Sequence, residues 1–157
     1  MSEDAINIFV SHHHSDASNI EELKNMIGKQ GTNARDSSIY KEKRENNAHN
    51  PDYIKSLIRS QIDWAGTLVV LVGTKTSDSE WVNWEIEYAA EHGKRIIGVF
   101  LENATDADLP EALMNHGDAL VIWKAEQVAR AIDGESIWMD PAGSPRTTPI
   151  EITRTTC

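Results

Sequence analysis

The chain has 157 residues, enough for one domain with a sizeable core and too few for two ordinary ones. An apolar fraction of 39% and five tryptophans mark a globular protein rather than a disordered one. Twenty-five acidic against fifteen basic residues give a net charge of −10, which repels polyanions and argues against nucleic acid as a partner, although a dinucleotide can still bind locally.

Residues 5–10 form a short apolar run that reads as a buried strand, followed by the polar loop Ser11-His12-His13-His14-Ser15-Asp16. Asp16 or Ser18 can cap the next helix, in which Ile20, Leu23, Met26 and Ile27 fall at helical spacing and Gly28 and Gly31 supply the stop. Residues 33–39 suggest a short edge strand, and 40–51 a charged loop whose lysines and glutamates nearly cancel. Pro51 suits a first helical turn, and Ile54, Leu57, Ile58, Ile62 and Ala65 trace a second helix that ends at Gly66.

Residues 67–72 are apolar on both faces, as a central parallel strand requires, and 73–78 form its outgoing loop. Ser79 then caps a helix that runs to about His92 and stops at Gly93. Residues 95–101 read as another buried strand, 108–116 as a short helical piece, 118–123 as a fifth strand and 124–132 as a last helix closed by Gly134. This alternation predicts an α/β, flavodoxin-like doubly wound sheet of about five parallel strands in the order 2-1-3-4-5, with helices on both faces. The domain is expected over residues 5–133. Residues 134–157, rich in proline and threonine, read as a flexible tail or a short edge strand near 150–152.

The longest apolar runs, 68–72 and 96–101, fall far short of the roughly 20 residues that a membrane span needs. The acidic start Met1-Ser2-Glu3-Asp4 lacks the basic and then apolar character of a secretory leader, and Cys157 stands alone. A cytoplasmic location with no membrane partner is the expectation.

In such a sheet, ligands bind beyond the carboxyl ends of the strands, where strand order reverses. Here those ends are residues 11–16, 36–38, 73–78 and 102–103. The P-loop pattern GxxxxGK followed by Ser or Thr is absent, as is GxGxxG, which disfavours a P-loop nucleotidase and an ordinary dinucleotide dehydrogenase. A phospho-receiver needs an aspartate where the third strand ends in Gly73-Thr74. His12 and His14 face one way in an extended segment, but no third or fourth ligand has recognisable spacing, so they read as ligand-loop residues with no metal.

The helix opened by Ser79 carries Trp81, Trp84 and Glu85. At about 3.6 residues per turn Trp81 and Glu85 share a face, while Glu87, two positions on and about 200° around, turns away. Glu85 is therefore the candidate catalytic carboxylate. Trp81 stands beside it as a flat wall that either stacks a ring or packs on the sheet.

These residues resemble the TIR (Toll/interleukin-1 receptor) domain family, and more closely its compact bacterial TIR-like branch from the Thoeris anti-phage system. The match rests on Ile8-Phe9-Val10-Ser11-His12, on the strand at 68–73, and on Ser79-Glu80-Trp81-Val82-Asn83-Trp84-Glu85-Ile86 followed by Ala89-Ala90 and Gly93-Lys94. The resemblance implies that the W-x-x-x-E pattern marks Glu85 as the catalytic glutamate of an enzyme that cleaves the nicotinamide–ribose bond of NAD. It further implies conversion of ADP-ribose into a cyclic or transferred signalling nucleotide that activates a separate effector. NAD is then a substrate and no cofactor is called for. By position, Ser11, His12 and His14 on the first loop, Asp36 and Ser37 on the second, and Trp81 are the implied substrate contacts. Self-association, as a homodimer or larger, is a further implication. Two alternatives stay open: a non-enzymatic TIR-type interaction scaffold, and a nucleoside N-glycoside transferase, which would also use a glutamate.

Overall fold

A computed structural model describes residues 6–32, 34–36 and 51–146. Among the described residues the strands and α-helices are, in chain order, β1 (Ile6–Ser11), α1 (Asn19–Gly28), β2 (Ala34–Asp36), α2 (Pro51–Trp64), β3 (Thr67–Val72), α3 (Glu80–Glu91), β4 (Arg95–Phe100), α4 (Glu111–His116), β5 (Ala119–Ile122) and α5 (Ala125–Ile132). All neighbouring strands pair in parallel in the order β2-β1-β3-β4-β5, as the sequence predicts. The order reverses between β1 and β3. Helix α1, between β1 and β2, packs on one face of the sheet, and α2, between β2 and β3, on the other.

The central strands send alternate side chains into two cores. Phe9, Leu68, Val70, Val72, Ile96 and Phe100 meet α2, α3 and α4, while Ile8, Val10, Val69, Leu71, Ile97 and Val99 meet α1 and α5. Every residue of β3 is buried, which explains why its sequence is apolar throughout rather than alternating. Gly98 of β4 has a local reason. A Cβ there would stand 2.8 Å from Leu113 of α4 and 2.8 Å from Leu120 of β5, so glycine lets the short helix α4 lie close on the sheet.

The edge strand expected within 33–39 is β2, three residues long. The loop expected at 40–51 lies, up to residue 50, outside the described residues, as does the strand suggested at 150–152. Helix α1 differs in its start. Its N-cap is Ser18, which makes no side-chain capping bond, and Asp16 ends a 3-10 turn (His14–Asp16) instead of capping the helix. The tail expected from residue 134 onward begins with a segment bound to the sheet. Leu120 N–H donates to Ile137 O (2.8 Å) and Met139 N–H to Leu120 O (2.8 Å), so residues 137–139 extend the β5 edge. Trp138 and Met139 pack on opposite cores. The following turn closes with Met139 opposite Pro145, and Arg146 pairs with Asp106.

Candidate active site

The site is built where β1 and β3 end. Ser79 accepts a hydrogen bond from Val82 N (3.2 Å) and fixes the start of α3 just beyond β3. From there Val82, Glu85, Ile86 and Ala89 recur at helical spacing and are all buried, so Glu85 occupies an inward position in an otherwise apolar stripe. At the other end of the helix, Gly93 at φ 72° continues a Schellman stop in which Lys94 N bonds to Ala89 O (3.0 Å) and Gly93 N to Ala90 O (3.2 Å). Asn83 ties the helix sideways: its Nδ2 donates to Ser79 O (3.1 Å) and its Oδ1 accepts from Ala112 N of α4 (3.0 Å).

Ser11, the last residue of β1, donates its hydroxyl to Glu85 Oε1 at 2.5 Å, and both residues are 0% exposed. That length is at the short end for a hydroxyl on a carboxylate and holds Oε1 in one direction. His12 is buried too. Its Nδ1 lies 2.9 Å from Val10 O, and since a carbonyl can only accept, Nδ1 carries the proton. His14 is exposed and stacks with His13 at 4.3 Å between ring centroids. Among the described residues no three His, Cys, Asp or Glu side chains converge as a metal site.

The other sequence-predicted residues lie apart from this pair or beside it. Asp36 is in register with Ile8, three residues below Ser11, or roughly 10 Å down the sheet at about 3.3 Å per residue. Ser37 lies outside the described residues. Glu87 is exposed, on the outer side of α3. Trp81 stands one turn before Glu85, partly buried, and meets Trp84 edge to face at 6.2 Å. Trp84 continues a ladder along the flank of α3. It stacks on Tyr88 at 5.7 Å and Tyr88 on His92 at 4.0 Å, while Lys55 and Arg59 of α2 approach the Trp84 ring to 5.4 and 5.7 Å. Trp84 thus belongs to the seam between α2 and α3.

The sequence reading missed a group at the same edge. Asp16 reaches across to the end of β3, where a Cβ at position 73 would lie 2.5 Å from its Oδ2. Burial pushes its carboxyl up from the ordinary aspartate range, against the opposing pull of His13, His14 and Lys75. Burial likewise lowers His13, followed by repulsion from His14. The loop beneath is pinned by Thr76, whose buried Oγ1 accepts from Gly73 N (2.7 Å) and donates to Leu71 O (3.1 Å). A glycine ending an apolar strand was the available signal. Nothing local in the sequence says which loop residue crosses to it.

An open groove of about 630 Å³ lies at the opposite edge of the sheet, between Lys94, Arg95, Asn115, His116 and Asp118. Its cations are engaged by the fold, Lys94 with Asp63 O at 3.0 Å and Arg95 with the carbonyls of Ala131 and Glu135. It is also on the wrong side for a ligand at the carboxyl ends of the strands, so the Ser11–Glu85 edge is the candidate site.

No curated protein matches the sequence. The fold is similar to that of the Clostridium botulinum CMP N-glycosidase BcmB, with a TM-score of 0.51, 19% identity, and coverage of 81% of this chain and 98% of that one. It is also similar to a chain of the RPS4 and RRS1 TIR domain heterodimer, with a TM-score of 0.53, 12% identity, and coverage of 83% and 96%. At these identities the likeness concerns the fold. Residues 9–106, well over half of the chain and including Ser11, Trp81 and Glu85, match the family described as Thoeris protein ThsB, TIR-like domain. The chain therefore belongs to the Thoeris ThsB family of TIR-like domains.

Proposed function

We propose that this protein breaks the N-glycosidic bond between nicotinamide and ribose in NAD and passes the ADP-ribosyl group on to form a signalling nucleotide. The observation that carries the reading is the buried Ser11–Glu85 pair at the strand-order reversal, in a chain of the ThsB family. The chemistry suits one carboxylate. When the bond between C1′ and the pyridinium nitrogen breaks, both electrons go to nitrogen and nicotinamide leaves neutral, so no acid has to protonate it. What develops is positive charge on the ribose ring, and a negative group fixed in a site of low dielectric stabilises it. Glu85 supplies that charge, and Ser11 keeps it oriented.

The ribosyl cation is then captured by a lone pair. Water gives ADP-ribose and a proton. A nitrogen of the same molecule's adenine gives a cyclic product, and shielding the site from water favours this second route. The product would act on a separate effector, and self-association of the chain would help complete the site. Trp81, Ser11, His12 and His14 remain the proposed substrate contacts, with Asp36 further down the sheet and Ser37 proposed from its sequence position alone. In this reading NAD is substrate and no cofactor takes part, and the cytoplasm, where NAD is abundant, is its proposed location.

A second reading, cleavage of a pyrimidine nucleotide, is favoured by the fold shared with a CMP N-glycosidase. It asks more of the site, because cytosine leaves as an anion unless a proton is supplied. Incubating the protein separately with NAD and CMP, and measuring released nicotinamide and cytosine, separates the two. Glu85→Gln is the decisive variant, since its amide oxygen still accepts from Ser11 while the charge is gone. Nicotinamide release should fall about 100- to 1,000-fold. Equal turnover by the variant would overturn the assignment, and NAD left intact by the wild type with CMP consumed would transfer it to the second reading.

A further inference from the structure

Asp16 is a residue the fold does not use. Its Oδ2 is buried and has no hydrogen-bond partner among the described residues, a costly state for a carboxylate. It does not cap α1. His13, His14 and Lys75 are the basic groups that act on it, yet none of them forms an ion pair with it among the described residues. Its place is nonetheless defined. The 3-10 turn after β1 carries it over the reversal point to the end of β3, with the carboxyl laid on Gly73 in space that any other residue's Cβ would fill. Ser11 and Glu85 meet at the end of β1, which is the neighbour of β3 in the sheet.

We propose that Asp16 accepts the hydrogen bonds of a ribose diol bound in the crevice between β1 and β3. A buried acceptor without a donor calls for a ligand that brings donors, and two carboxylate oxygens match two neighbouring hydroxyls. The surroundings narrow the class. Lys75 disfavours a cationic group here, and the aspartate itself disfavours a phosphate, whereas neutral hydroxyls meet neither objection. In a ribosyl substrate the diol lies on C2′ and C3′, and C2′ is bonded to C1′, the atom Glu85 is proposed to serve. The inference rests on the ribosyl-transfer reading of the same site and adds the group that recognises the sugar.

The test is a binding experiment on the Glu85→Gln protein, which holds substrate without consuming it. Calorimetry compares NAD and CMP with analogues lacking the 2′- and 3′-hydroxyls of the ribose next to the base that leaves. The diol is expected to tighten binding of at least one of the two ligands roughly 10- to 100-fold, as hydrogen bonds to a charged group do. With Asp16→Ala added, the preference should shrink to about twofold or less, and Asp16→Asn, which keeps one acceptor oxygen, should retain part of it. A preference that survives Asp16→Ala overturns the proposal, as does the absence of any diol preference for either ligand. If NAD is neither bound nor cleaved while CMP shows a preference that depends on Asp16, the NAD reading falls and the diol site stands. Thermal unfolding of each variant confirms that folded protein is compared.

Discussion

Ser11 and Glu85 lie 74 positions apart in the chain and meet in a 2.5 Å hydrogen bond with both side chains shielded from solvent. The β1–β3 register brings the serine to the sheet edge, and the Ser79 cap sets the phase of α3 that turns the glutamate inward. A buried carboxylate held by a hydroxyl from another element is fixed before any ligand arrives, which is what electrostatic stabilisation of a developing charge requires.

Removing the hydroxyl should therefore loosen the carboxylate while leaving its charge. Ser11→Ala is expected to lower kcat for nicotinamide release by about 10- to 100-fold, the equivalent of one hydrogen bond to a charged group. Its KM for NAD should change less than its kcat. Steady-state kinetics on the two proteins checks this, and an unchanged kcat would show that Glu85 is oriented by its other surroundings.

Asp16 makes stability depend on pH in a defined sense. Burial raises its carboxyl above the ordinary value of 3.8, so between that value and the raised one the folded state holds more protons than the unfolded state. Stability then falls as pH rises through this window, and above it the ionised group is a standing cost, reduced by His13, His14 and Lys75. Asp16→Asn removes the cost. Urea unfolding should show the variant more stable than the wild type at pH 7, with the difference vanishing below about pH 3.8, where both states of the wild type are protonated.

The sheet and the glutamate were legible in the sequence, and Asp16 was not. The apolar run of β3 reports burial on both faces, and Val82, Ile86 and Ala89 around Glu85 report the inward stripe of α3, because both are local periodicities. The contact of Asp16 with Gly73 depends on how β1 and β3 are paired, so local spacing suggests a helix cap instead. The same holds for residues 137–139. Three apolar residues between Gly134 and Pro141 are too short to announce a strand, and only the free edge of β5 gives them a partner.

Two glycines separate ligand effects from packing effects. At Gly73 the atom in the way of a new Cβ is the tip of Asp16, which can swing aside, so Gly73→Ala should cost less than about 1 kcal/mol. It should weaken substrate binding as Asp16→Ala does, and the double variant should be no worse than either single one. At Gly98 the obstacles are Leu113 and Leu120 in a packed core, and Gly98→Ala should cost about 1–3 kcal/mol. Per folded molecule, NAD binding by this second variant should be unchanged. Denaturant unfolding and NAD titration on all four proteins decide the matter.

The two tryptophans of α3 should divide in the same way. Trp84 lies in the seam with α2, under Lys55 and Arg59 and against Tyr88, so Trp84→Leu is expected to lose about 1–2 kcal/mol through ring contacts and cation–π attraction. Its KM for NAD should stay near the wild-type value. Trp81 stands one helical turn before Glu85 and is partly buried. Because it is a proposed substrate contact, Trp81→Leu should raise KM by about 10-fold, the equivalent of one lost ring-stacking contact. If KM rises only with Trp84→Leu, the ring against the substrate is Trp84, and the seam between α2 and α3 opens to receive it. If neither changes KM, the ladder is wholly structural, and recognition of the nicotinamide ring falls to the loop that follows β1.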